Sequence, residues 1–393
     1  MEHQVTRRAR LAPRATKGGA AAGRALGILL WTALGLPGAG AGDWPMARGM
    51  PDLAGSISGT VPNRPRLVWS FKTDGPVRSS VAIAQGVAVF GSNGGKVYAV
   101  KADSGTELWR FDMRDDVESP PCIVSDAVYV GGGDGRLYSL KLGSGEVRWS
   151  YETGDRILGG ANSFTLPGQN RVCLLVGSYD FWVHCVDGET GRRLWAYETE
   201  NYVNGTPAVA GQLAVIGGCD GILHLIDLAS GQARKKVEIG YYIPGSVAVA
   251  GSVAYLGHYG EEVTALDLDT GEVRWKYRDP DRSYPYFSSP AVRGGRVLIG
   301  CRDRKLHAID AEKGTSLWSF RTRGDVDSSP IAVGDAVVFG SDDGSVYCVN
   351  LADGKERWRY EIGKAVISSP AFAGGVIYVG ADDGVVYALG GEP

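Results

Sequence analysis

The chain has 393 residues, including 58 Gly, 10 Trp and 18 Tyr, so its glycine share is about twice the ordinary ~7%. No Gly-x-y period runs through it, which excludes collagen, and with 44% hydrophobic and 22% charged residues it is no disordered chain. The formal net charge is −3, but Arg7, Arg8, Arg10, Arg14, Lys17 and Arg24 face only Glu2 before residue 42, so the remainder is more acidic and a nucleic-acid partner is not expected.

The basic opening leads into the apolar run Ala25–Leu36 and then into small residues ending Ala39-Gly40-Ala41. This is the order of a secretory signal peptide over residues 1–41, with cleavage after Ala41; the alternative is an uncleaved N-terminal anchor. The run is too short to span a bilayer, and no later window is long enough either. The mature chain is therefore expected to be exported, to the periplasm or cell envelope, without a membrane span. Residues 42–63, beginning Gly42-Asp43-Trp44-Pro45, match no repeat and are expected as an extended lead-in lying against whatever follows. Next comes a lone strand pattern, Arg64-Pro-Arg-Leu-Val-Trp69-Ser-Phe71.

From Gly91 a repeat runs to the end of the chain. Copies start at Gly91, Gly131, Gly177, Gly217, Gly257, Gly300, Gly340 and Gly380; the first seven extend nineteen residues without insertion, and the eighth stops where the protein stops. Three residues after the lead glycine stands Asp in six of the eight copies, between two alternating apolar runs, which is a hairpin signal. A second turn glycine is followed four residues later by Trp109, Trp149, Trp195, Trp275, Trp318 or Trp358, with Lys235 the exception. Between copies, a hydrophobic column (Val77, Val117, Ile157, Val203, Ile243, Tyr286, Val326 and Val366) precedes a small pair, clearest in Ser288-Ser289-Pro290, and a further strand.

Four antiparallel strands in about 40 residues, eight times over, predict an all-β, eight-bladed propeller over residues 64–393. The eighth copy lacks its outer strand, and the lone strand with Trp69 is expected to supply it and close the ring, which removes an open sheet edge. Truncation before Trp69 is then expected to be tolerated far better than truncation through it. A single closed ring is expected to be monomeric.

The blades resemble the pyrroloquinoline-quinone-like (PQQ-like) propeller family, whose docking motif reads A-x-D-x-x-T-G-x-x-x-W. The best matches are Ala265-Leu266-Asp267 with Thr270, Gly271 and Trp275, and Ala308-Ile309-Asp310 with Gly314 and Trp318. The resemblance implies the fold strongly and the function weakly, since the family holds both quinoprotein dehydrogenases and cofactor-free BamB-type factors of outer-membrane protein assembly. A dehydrogenase of this family is expected to carry adjacent cysteines at the quinone. Here Cys122, Cys173, Cys185, Cys219, Cys301 and Cys348 are never adjacent, and no C-x-x-C-H haem site occurs.

No catalytic residue, metal or cofactor is therefore expected, with PQQ and calcium as the alternative. Asp342-Asp343-Gly344 and Asp382-Asp383-Gly384 fall on the hairpin turns and are read as turns rather than calcium ligands. His184, His224 and His307 share a column with Tyr98, Tyr138, Tyr347 and Tyr387, a structural slot. Cys173 and Cys185 fall on neighbouring strands, close enough for a disulfide to be considered.

In an up-and-down blade the turn between second and third strands shares one face with the connection to the next blade. On that face the chain departs from its own repeat with Tyr179, Phe181, Trp182, Tyr202, Tyr241, Tyr242, His258, Tyr259, Arg282, Tyr284 and Phe287. These are read as a partner-binding face or, alternatively, as aromatics that pack on one another or plug the channel. The position after the hydrophobic column is expected at the channel mouth and holds Arg78, Glu118, Leu158, Asn204, Pro244, Phe287, Asp327 and Ile367. The reading is an exported, non-catalytic scaffold for a protein or peptide partner in the envelope. The alternatives are a quinone-dependent dehydrogenase and a sensor of carbohydrate or another small ligand.

Overall fold

The computed structural model describes residues 42–166, 169–281 and 284–391, so the segment read as a signal peptide lies outside the described residues. Every regular element among the described residues is a β-strand, and the strands form eight sheets. Blade one runs outward from the channel as Ala82–Ala84, Val87–Ser92, Lys96–Lys101 and Glu107–Asp112, all antiparallel. Blades two to seven repeat it. Blade eight takes Ala371–Ala373, Val376–Gly380 and Val385–Gly390 from the C-terminal end and Arg66–Lys72 from the other, with Trp69 opposite Ala388 and Phe71 opposite Val386. The ring closes as the sequence predicts.

The repeat columns acquire physical meanings. A Cβ on the lead glycine would collide with the hydrophobic column of the next connection: 2.4 Å from Val117 at Gly91, and 2.3 Å from Val77 at Gly380, across the ring closure. The outer-strand tryptophans reach the next blade. Their Nε1 groups donate to the carbonyls of Ala102 from Trp69 (2.9 Å), Leu142 from Trp109 (2.7 Å), Gly188 from Trp149 (3.1 Å), Leu228 from Trp195 (3.1 Å), Ala311 from Trp275 (3.0 Å) and Leu351 from Trp318 (3.2 Å). Each of those rings also lies on the turn glycine of that blade, as Trp275 does on Gly314, where no side chain would fit. Trp358 has no such turn to meet, because blade eight's outer strand comes from the chain's start, and it donates to Pro62 O at 2.8 Å instead.

The small pairs form a belt around the channel. Backbone N–H groups of Gly160, Thr206, Ser246, Ser289 and Ser329 each bond a hydroxyl one blade on, and Ser368 Oγ closes the belt on Ser79 O at 3.0 Å. Only short side chains allow blades to approach this closely.

The column that accepts Tyr or His is organised by the turn aspartates. Asp134, Asp343 and Asp383 accept from the hydroxyls of Tyr138, Tyr347 and Tyr387 at 2.6, 2.8 and 2.6 Å. Asp180, Asp220 and Asp303 face Nε2 of His184, His224 and His307 at 3.1, 2.8 and 3.1 Å. Imidazole has a second nitrogen to satisfy, and the preceding blade supplies Tyr151, Tyr197 and Tyr277 to Nδ1 at 2.9, 2.9 and 3.4 Å. Opposite the tyrosines of the column stand Phe71, Phe111 and Phe320, packed edge-on against Tyr98, Tyr138 and Tyr347.

The lead-in lies against the inner strands, and residues 44–59 pass along them from blade to blade. Trp44 exchanges backbone hydrogen bonds with Ile83; Pro45 O accepts from Ile123 N, and Pro51 O from both Asn162 Nδ2 and Val209 N, each at 2.7 Å. Asp52 O, Ala54 O and Gly55 O accept from Val249 N, Val292 N and Ala332 N at 2.9, 2.8 and 2.9 Å. Ser56–Ile57 then adds a parallel strand to blade seven, and Gly59 packs on Phe372 of blade eight. The inner strands present unpaired N–H groups to the channel, and this segment satisfies them. Trp44, Met46 and Leu53 are fully buried by it. Truncation before Trp69 removes these bonds and the buried Trp44, Met46 and Leu53, so its cost is expected to exceed what the repeat pattern alone implies.

Arg48 is the centre of this plug. It donates to Pro290 O, Ser329 O and Pro330 O at 3.0, 3.1 and 2.6 Å. Burial pulls its guanidinium down to about 9, still above neutral pH, so it stays charged.

Candidate functional site at the channel mouth

The plug reaches the turns between first and second strands, where Gly334 N donates to Ile57 O at 3.1 Å. The turns between second and third strands, and the connections between blades, lie at the opposite end of each up-and-down blade. That end forms the mouth, and two concentric columns line it. One is the connection column from Arg78 to Ile367. The other lies two residues after each lead glycine, at Asn93, Gly133, Tyr179, Cys219, Tyr259, Arg302, Asp342 and Asp382. Sequence reasoning read Asp342 and Asp382 as turns and Tyr179 and Tyr259 as part of a partner face, and missed the column as a ring. The signal was available: the turn aspartates are Asp343 and Asp383, leaving Asp342 and Asp382 free of that duty.

The mouth has two halves. On blades three to six Leu158, Tyr179, Asn204, Cys219, Tyr242, Pro244, Tyr259 and Phe287 line a half-open cavity of about 380 Å³. Tyr179 stacks on Tyr202 at 4.6 Å between ring centres, Phe181 meets Tyr202 edge-on at 5.1 Å, and Tyr259 lies 5.0 Å from Phe287. Arg156 covers Tyr179 at 4.4 Å and Arg302 covers Phe287 at 3.4 Å. The aromatics thus pack on one another yet remain at the surface: Phe181, Tyr202, Tyr241, Tyr242, Tyr259 and Tyr284 are all exposed. They do not plug the channel, which the lead-in fills.

The other predicted residues fall variously. Trp182 is half-buried at the start of the strand Trp182–Asp187. His258 is not on the surface at all: it lies beneath Tyr241, parallel to it at 5.5 Å, with Nδ1 accepting from Gly260 N at 3.1 Å. Burial holds its imidazole down at about 4. Tyr286 is buried in the hydrophobic column, as expected. Arg282 lies outside the described residues.

The remaining half of the mouth is acidic. Arg78 bonds Asp382 at 3.2 Å and approaches Glu118 at 3.7 Å; Asn93 Nδ2 donates to Glu118 at 2.8 Å. Arg302 forks onto Asp327 at 2.7 and 3.0 Å while stacked on Phe287, joining the two halves. Partial desolvation and then the neighbouring Asp327 and Asp325 push Asp342 up to about 6.

A quinone bearing three carboxylates needs cations around it, and a calcium ion with it needs a cage of oxygen ligands. The two mouth guanidiniums on this acidic side are already committed to carboxylates, and the carboxylates that remain would repel the quinone. The acidic half of the mouth therefore does not suit PQQ. Elsewhere Cys301, Asp303 and His307 bring donor atoms within 4.8 Å of one another. Lys305 Nζ lies 3.6 Å from Asp303 and 2.9 Å from Asp279, so an ammonium already supplies the positive charge there. Cys173 and Cys185 are free thiols in diagonal register, Cys185 opposite Leu175 and Cys173 opposite Asp187.

The family model described as "Outer membrane protein assembly factor BamB" matches residues 54–276, 219–364 and 302–392. Among solved structures, BamB from Moraxella catarrhalis is 21% identical with a TM-score of 0.69, covering 83% of this chain and 98% of that one. The quinohemoprotein alcohol dehydrogenase from Comamonas testosteroni is 14% identical (TM-score 0.75; 91% and 82% covered), and a europium-containing methanol dehydrogenase is 14% identical (TM-score 0.76; 89% and 98%). At these identities the structures share the fold alone. No curated protein matches the chain in sequence.

Proposed function

The chain belongs to the outer membrane protein assembly factor BamB family, and from that premise we propose that it is an exported, non-catalytic scaffold that captures a protein partner in the cell envelope through the aromatic half of its mouth. The observation that carries this reading is the group of exposed aromatics around the cavity on blades three to six, outside the columns that build the blades. Tyrosine offers large contact area at low ordering entropy, the property of interface hot spots. Residues 1–41 act as the export signal. Among the described residues no helix is long and apolar enough to cross a membrane.

Replacing Tyr202, Tyr242 and Tyr259 together with Ala is expected to abolish capture of the envelope partner while leaving the melting temperature within a few degrees, since all three are exposed. Unchanged capture by a folded variant overturns the reading. Calorimetric titration with PQQ and calcium is expected to give no saturable heat.

A further inference from the structure

The joined halves of the mouth narrow the partner's chemistry. The aromatic cavity ends at Phe287, and the guanidinium of Arg302 lies on that ring while forking onto Asp327. The protein's own cation thus occupies the boundary between aromatic and acidic surface. Beyond it, Asp325 and Asp342 make no ion pair or side-chain hydrogen bond among the described residues, and each is held above its ordinary range by desolvation and by Asp327. At the cavity wall, Asn204 donates to Cys219 Sγ while its side-chain carbonyl oxygen is buried without a partner. Arg302 offsets these carboxylates only in part, since each is still raised, and carboxylates next to an aromatic recess complement a cation carried beside an apolar group.

We propose that the mouth binds an extended polypeptide segment that inserts an apolar or aromatic side chain into the cavity at Tyr259 and Phe287 and sets a lysine or arginine of the same strand face against Asp325 and Asp342. Side chains two residues apart are the nearest that share a face on an extended strand, about 7 Å apart, and the proposed motif takes that spacing: an aromatic residue, any residue, then a basic one. The inference rests on the partner-binding reading and adds its specificity.

The test is fluorescence anisotropy with three labelled peptides differing only at the central triplet: Phe-Gly-Lys, Phe-Gly-Glu and Ala-Gly-Lys. The expected result is binding of Phe-Gly-Lys about tenfold or more tighter than either other peptide. Asp325→Asn with Asp342→Asn should erase the preference for Lys over Glu and keep that for Phe over Ala; Tyr259→Ala should do the reverse. Equal binding of the Lys and Glu peptides, a charge preference that survives the Asn variants, or no binding of any peptide overturns the inference. Partner capture that still depends on Tyr202, Tyr242 and Tyr259 would then leave the scaffold reading standing.

Discussion

Phe181 occupies a turn position where five other blades place glycine, and it takes the same left-handed backbone, φ 77° against 74° at Gly135 and Gly221. An L-residue there carries about 1 kcal/mol of strain, and its exposed ring recovers little of it. Phe181→Gly is expected to raise stability by roughly 0.5 kcal/mol in urea melts while weakening partner capture; a destabilised variant would mean that the ring serves the fold. His258 carries the opposite lesson. Its sequence position beside Tyr259 suggested a surface residue, yet it fills a column held elsewhere by Ser92, Ser178 and Ser341, and that column is buried. The folded imidazole protonates at about 4 and an unperturbed one at 6.5. Between these values the unfolded chain binds more protons, so the contribution of His258 is present above pH 6.5 and lost as the pH falls toward 4. His258→Ser should flatten the fall in stability across that window by up to about 3 kcal/mol relative to the parent; parallel pH profiles of the two proteins would contradict it.

At the level of the blade, the docked tryptophans were legible because period and spacing act locally: a glycine, three residues, then an indole. Lys235 shows the same slot by exception. Its ammonium donates to Thr270 O and its stem lies on Gly271, where the other blades place an indole. Lys235→Trp is expected to stabilise the junction of blades four and five by about 1 kcal/mol, read from the urea midpoint; a lower midpoint would show that this junction is shaped differently. What the pattern concealed was direction. The alternation of strands assigns faces within a blade, but a turn residue's neighbour across the ring depends on closure. The contact of Arg302 with Asp327 therefore appears only when blades six and seven are placed side by side.

Over the whole molecule, the repeat gave the ring and its closure by Trp69, while the lead-in was opaque. Residues 42–63 have no periodicity, since they bond one blade after another with a bend at each. Their partners are backbone N–H groups that no side-chain pattern records. Arg48→Met leaves the carbonyls of Pro290, Ser329 and Pro330 without their donor, and is expected to lower stability by about 3 kcal/mol and open residues 42–63 to protease. Resistance equal to the parent's would show that the backbone bonds alone retain the plug. With the channel filled from one end, the other mouth is left as the recognition surface, and its sharpest test is position-specific cross-linking. A photo-reactive residue at Tyr242, on the aromatic half, and another at Leu317, exposed on an outer strand, are compared in the intact envelope. The expected result is a discrete protein adduct from Tyr242 that disappears with Tyr259→Ala and is not formed from Leu317. Adducts from Leu317 alone, or the same adduct from both, would contradict the assignment of the mouth as the partner site.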